Sequence, residues 1–189
     1  MTSNSNAFKK IMWGIIISGC HIIISNSFQI IPSFIGYFII WLGMKELCRY
    51  GLNGYFEKVE KSAMWIFVFS LLGWIGGTIW GYTQTLSQGA AICFYLLEAA
   101  LYADMLNMCV KVLKERNMIR EADALRKNRM AFIKVYLAAI LLCIVQMVGQ
   151  AFNWTVTIFA DYTILTIMLF IKLWLSMFMQ KMSSYEIKP

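Results

Sequence analysis

A chain of 189 residues that is 60% hydrophobic and 14% charged, with a mean hydropathy of +0.63, has too little polar side chain to cover a water-soluble globule. The composition excludes a soluble domain and selects an integral membrane protein. The net charge is +7, but the basic residues cluster between apolar spans and not on one aromatic-laced surface, which argues against nucleic acid and for anionic lipid at an inner membrane face.

Six apolar segments are predicted as membrane spans, each near the length of about 20 residues that crosses a bilayer. In chain order they are 10–27, 32–47, 62–82, 89–110, 130–152 and 154–179, one transmembrane domain over residues 1–189. The first contains His21 and the run Ile16–Cys20 (IISGC), which matches a lipoprotein processing box. The apolar run before the box is short, and the chain continues as HIIIS instead of turning polar, so lipidation of Cys20 is not expected. Pro32 opens the second span, which at about 16 residues and about 24 Å is shorter than the hydrocarbon core.

The third span has Gly73, Gly77 and Gly81 spaced four apart, which lets two helix backbones approach closely. Two readings follow, a dimer seam or contact with a neighbouring helix of the same chain. The fourth span carries Glu98, Asp104 and Asn107. A connection with seven basic residues, Lys111–Arg129, follows and is expected to continue as helix. The fifth span carries Lys134, Gln146 and Gln150, and the sixth Asp161 and Lys172. Between them AFNWT is predicted as a tight turn. Five cysteines (Cys20, Cys48, Cys93, Cys109, Cys143) lie in or beside apolar segments without a CxxC pair, so disulfides and structural zinc are not expected.

Lysine and arginine alternate strictly along this path. They occur in the N-terminal segment, the second and fourth connections and the C-terminal segment, and are absent from SNSFQIIPS, TQTLSQG and AFNWT. By the positive-inside rule both termini are cytoplasmic, and the fold is an all-α six-transmembrane bundle of three hairpins. A bacterial cytoplasmic membrane is the expected location.

An ionisable group within lipid costs at least about 2.5–3.5 kcal/mol, so each one raises a functional hypothesis. Counted at 1.5 Å per residue from the outer ends, His21, Gln146 and Asp161 lie about 9–10 Å deep and Glu98 about 14 Å deep. They are read as a candidate polar site in the outer half. For Glu98 alone the structural alternative is a neutral carboxyl donating one hydrogen bond to a facing carbonyl or glutamine. Asp104 and Lys172, about 10 and 12 Å from the inner face, are expected to form an ion pair. One histidine leaves a metal centre under-ligated, so no metal or cofactor is expected, and no nucleophile turn or zinc-protease helix supports an enzyme.

Ile31, Pro32, Phe34, Ile35, Gly36, Tyr37, Gly43 and Leu47 form a run that resembles a family of small, uncharacterised bacterial multi-pass membrane proteins. That family has an acidic residue where this chain has Ser33. The resemblance implies a membrane fold and no activity. In size and span number the chain also resembles the substrate-binding subunits of vitamin or metal-ion importers. Those carry an alanine-x-x-x-alanine stripe on the first helix, where the best small pair here is Gly14 and Ser18. Two functional readings result. One is binding or transport of a small solute or ion through the outer polar layer. The other is a non-transporting assembly, immunity or regulatory protein that meets a second copy or another membrane protein through the third helix's glycine face.

Overall fold

The computed structural model describes residues 3–19, 23–25, 28–29, 32–49, 53–80, 84–151 and 157–185. The described residues are all-helical apart from one minimal ribbon and short connecting turns. The helices are α1 (Ser3–Gly19), α2 (Ser33–Leu47), α3 (Asn53–Trp80), α4 (Gln84–Glu115), α5 (Ile119–Ala151) and α6 (Thr157–Ser184). Strands β1 (Ile23–Ser25) and β2 (Phe28–Gln29) pair antiparallel, Ile23 opposite Gln29 and Ser25 opposite Phe28. The turn expected at AFNWT lies outside the described residues apart from Ala151, which ends α5.

Helix boundaries depart from the predicted spans in a consistent way. The first span, 10–27, is not one helix: α1 stops at Gly19 and the chain is extended at Ile23–Ser25. A glycine ends the helix readily, and the β-branched run Ile22–Ile24 favours an extended backbone. α3, α4 and α5 begin ahead of their apolar segments. α3 begins at Asn53, not Ser62, and its charged first turns hold an exposed Lys61–Glu57 pair at 2.8 Å, one turn apart. α4 begins at Gln84, not Gly89, and α5 begins at Ile119, not Met130. Hydropathy marks where lipid ends; the helix continues into water as long as its polar turns have helical propensity.

Among the described residues three helices, not six, are long and apolar enough to cross a membrane: Gly54–Ile79, Ile92–Glu115 and Ile119–Val145. α1 and α2, with 17 and 15 residues, fall short of the usual span of about 20. The apolar windows of the three long helices are only 22, 33 and 22% buried. Side chains such as Phe69, Leu72, Ile79, Leu141, Val145 and Phe170 stand at the surface. Apolar surface on that scale needs lipid, not water, around it.

The chain forms two compact units, residues 1–81 with 172–189, and residues 82–171. In the first, α1 buries Ala7, Phe8, Ile11 and Ile15, and α2 buries Tyr37, Ile40, Met44 and Leu47. These are single stripes at helical spacing. The two helices meet at glycines. A Cβ on Gly14 would lie 2.7 Å from the Gly36 carbonyl oxygen, and one on Gly36 would strike the Ser18 backbone as well as the Gly14 carbonyl at 2.6 Å. Gly43 faces Ile11 and the Ala7 carbonyl in the same way. As Gly14 meets Gly36 and Ala7 meets Gly43, the helices run antiparallel. Gly14 and Ser18, the best small pair for an importer-type partner stripe, are occupied by α2 of the same chain. α2 then packs on α3 through Trp41, Phe38 and Phe67, with Trp41 and Phe67 stacked at 6.3 Å and 1°. Trp41 Nε1 donates to Glu60 at 2.7 Å, and the hydroxyls of Ser33 and Ser70 lie 3.1 Å apart.

In the second unit α4 and α5 form an antiparallel hairpin turned by Arg116–Met118. Asn117 adopts a left-handed φ of 58°. Its N–H donates to the Lys114 carbonyl and that of Met118 to the Leu113 carbonyl, both at 3.0 Å. This is a Schellman cap with asparagine in the position glycine usually fills.

Two pairs of substitutions test these contacts. Gly36→Ala forces a methyl group into the Ser18 backbone and is expected to cost about 1–3 kcal/mol. Gly89→Ala, where a Cβ meets nothing within 4 Å, is expected to stabilise by about 0.5–1 kcal/mol. Equal melting temperatures for the two variants in detergent would rule out the close α1–α2 approach. At the cap, Asn117→Gly should leave stability unchanged or higher, and Asn117→Val should lower it by about 1–2 kcal/mol, read from the same melts.

Candidate functional site: a glutamate between two tyrosines

In the second unit Glu98 is wholly buried, 0% exposed. Tyr102 lies one turn further along α4 and so shares its face; Tyr136 approaches from α5. The Tyr136 hydroxyl donates to Oε2 at 2.7 Å and the Tyr102 hydroxyl to Oε1 at 3.2 Å. Both rings are fully buried, edge to face, with centroids 6.5 Å apart, and Phe132 packs on them at 6.2 and 5.0 Å. Each carboxyl oxygen therefore has a hydroxyl donor, which is what a buried polar group requires. The structural alternative for Glu98 from sequence is a bond to a carbonyl or glutamine; the bonds seen here come from phenols. Of the two partners, Tyr102 was legible from its i+4 spacing. Tyr136, 38 residues away, was not.

Further along the hairpin the Arg129 guanidinium donates through Nη1 to Asn107 Oδ1 at 2.6 Å. Its Nε is buried and has no hydrogen-bond partner among the described residues.

In the first unit Lys172 is buried, 6% exposed, and its Nζ donates to the Ser18 carbonyl at 3.2 Å while lying 5.8 Å from the centre of the Tyr37 ring. Ser18 is in the last turn of α1, where carbonyls lack intrahelical donors and the helix dipole favours a cation. Lys172 therefore caps α1. Asp104, its expected partner, belongs to the second unit, where it lies partly buried on α4.

The remaining predicted site residues are placed only in part. His21 lies outside the described residues, as does Cys20. Gln146 and Asp161 are on α5 and α6, with their side chains outside what is described. On α3, Gly77 is buried and Gly73 exposed, while Gly81 lies outside the described residues. Cys48, Cys93, Cys109 and Cys143 are free thiols. Burial, and then the Glu60 and Glu57 carboxylates, push the Cys48 thiol up to about 11, which keeps it protonated and unreactive at neutral pH. Among the described residues no three His, Cys, Asp or Glu gather as metal ligands.

No protein-family model matches the chain, and neither does any curated protein or solved structure.

Tyr136→Phe removes the shorter bond and leaves a buried oxygen without its donor. It should destabilise the protein by about 1–3 kcal/mol and by more than Tyr102→Phe. Adding Glu98→Met to a Tyr102→Phe, Tyr136→Phe double variant removes acceptor and donors together and should recover most of the loss. Thermal melts of the four variants measure both effects, and an unrecovered triple variant would show that the cluster is not held by these bonds.

Proposed function

We propose that the chain is a six-span membrane protein of three hairpins in the bacterial cytoplasmic membrane, with both ends of this chain on the cytoplasmic side. On this reading it binds or passes a small solute or ion through a polar layer centred on Glu98, with Gln146 and Asp161 of the same unit contributing. The observation that carries the proposal is the complete burial of Glu98 within a helix long and apolar enough to cross a membrane, with a hydroxyl donor on each oxygen. A carboxyl in lipid costs several kcal/mol before it is paired, and one helix–helix hydrogen bond in a membrane returns only about 0.6–2 kcal/mol. Fixing helix register alone would be met at lower cost by an amide or a serine. A carboxyl adds what those groups lack: a proton that can leave and a charge that attracts a cation or a hydrogen-bond donor.

The alternation of basic connections supports the threading, since lysine and arginine next to spans are retained on the inner side. The surplus of exposed apolar side chains on α3 to α6 supports lipid as the surrounding medium.

The test is a thermal-shift panel of small solutes and mono- and divalent cations on the detergent-purified chain. A ligand present at a hundred times its Kd stabilises by about 2.7 kcal/mol, which is a clear shift. The expected result is stabilisation by at least one compound, lost in Glu98→Gln and in Asp161→Asn and retained in the exposed-site control Glu57→Gln. Stabilisation that survives in both core variants removes the polar layer from the binding site. The threading is checked in a background without native cysteines: a cysteine at Gln88 should label from outside the cell, and one at Arg116 only after the cell is opened. The opposite pattern inverts the topology.

A further inference from the structure

We propose that the base of the α4–α5 hairpin is a binding collar for the phosphates of anionic lipid headgroups, anchored by Arg129. This rests on the membrane reading above but concerns a different surface from the Glu98 layer. The register of the two helices sets the geometry. Glu98 bonds Tyr136, Tyr102 packs on Phe132, and Asn107 bonds Arg129, so residues of α4 and α5 whose numbers sum to about 235 lie level. Lys111, the first charge after the apolar run of α4, is therefore level with about residue 124 of α5.

Beyond that level only Lys111–Glu115 of α4 remain, about 7.5 Å of helix, before the Asn117 cap reverses the chain. The hairpin is thus a stub and not a long arm. Its seven basic residues face three acidic ones over 111–129, and all of them stay within about one Debye length, about 8 Å, of the membrane surface. Buried Val112, Leu113, Ala122 and Leu125 form the internal seam, which turns Lys111, Lys114, Arg126 and Lys127 outward to solvent. Exposed Lys134, just inside the apolar run of α5, has the reach to return its ammonium to the same level.

Arg129 completes the collar. Its Nη1 is committed to Asn107, which fixes the guanidinium plane, and its Nε is buried without a protein partner among the described residues. What Arg129 offers a headgroup is therefore a fixed positive charge at the level of the surrounding lysines, and a phosphate drawn to those lysines meets that charge. A soluble acidic protein would need the charges to stand clear of the headgroups, and the short hairpin keeps them among the headgroups.

The experiment uses the full chain in mild detergent, titrated with phosphatidylglycerol or phosphatidylcholine, with melting temperature giving the apparent affinity. Phosphatidylglycerol should stabilise the chain, and phosphatidylcholine and inorganic phosphate at equal ionic strength should not. Arg129→Gln should weaken the phosphatidylglycerol effect about fivefold. Lys111→Gln, Lys114→Gln, Arg126→Gln and Lys127→Gln combined should weaken it several hundredfold, about 600-fold if the four charges act independently. Arg129→Lys, which keeps the charge without the guanidinium plane held by Asn107, separates a lost charge from a misfolded hairpin and should fall between wild type and Arg129→Gln. Equal stabilisation by both lipids overturns the proposal, as does a phosphatidylglycerol effect that the four-residue variant retains in full, or an acidic protein that occupies the hairpin in place of lipid. A chain that fails to float with vesicles after a carbonate wash overturns the membrane reading itself. One that floats but shows no lipid preference overturns only the collar.

Discussion

Lipid offers no hydrogen bonds, and this constraint orders the rest of the structure. Every backbone donor and acceptor within the hydrocarbon has to be met inside its own helix, and the described residues are helical almost throughout. The same medium removes the hydrophobic drive that packs helices in water. Helices in lipid associate through close fit and shared polar groups. The two compact units illustrate one of these devices each.

In the first unit close fit dominates. Gly14 against Gly36 and Ala7 against Gly43 bring the α1 and α2 backbones into direct contact, and no side chain larger than hydrogen fits at Gly36. Lys172 then closes the end of α1 by meeting a carbonyl that the helix leaves open. In the second unit the shared polar group dominates. Glu98 accepts from tyrosines on its own helix and on α5, and Asn107 accepts from Arg129 two and a half turns further along. A buried charge or carboxyl is tolerated in both places for the same reason: its hydrogen-bonding capacity is used locally, by groups fixed on rigid helices.

How much of this was legible in the sequence follows from the range of each effect. Apolar content and helical runs are local, so the all-helical membrane class and the order of six helices were readable. Glu98, Asp104 and Lys172 stood out because a charge among apolar neighbours is visible one residue at a time. Helix ends were not readable from hydropathy, because Asn53, Gln84 and Ile119 begin helices in polar surroundings where propensity and caps decide. Nor were the partners. Charges and amides are the partners a sequence advertises by residue type, and neither the Ser18 carbonyl that Lys172 meets nor the Tyr136 phenol at Glu98 is marked in that way. The glycine signal in the sequence is the repeat Gly73, Gly77 and Gly81, three at one spacing. The seam seen in the structure uses Gly14, Gly36 and Gly43 from two helices, a pattern that no single-segment search contains.

The Pro32–Leu47 run gains a physical meaning from these contacts. Pro32 is extended at φ −64° and ψ 134° and starts α2. Gly36 and Gly43 are the points of backbone contact with α1, Tyr37 lies beneath the Lys172 ammonium, and Leu47 is fully buried. Gly36 and Gly43 thus serve the α1–α2 hairpin directly. Ser33, the one departure from the resembling pattern, is met by Ser70 of α3, a neutral pair where an acidic residue would need a cation or a proton. A motif committed in this way specifies how two helices join.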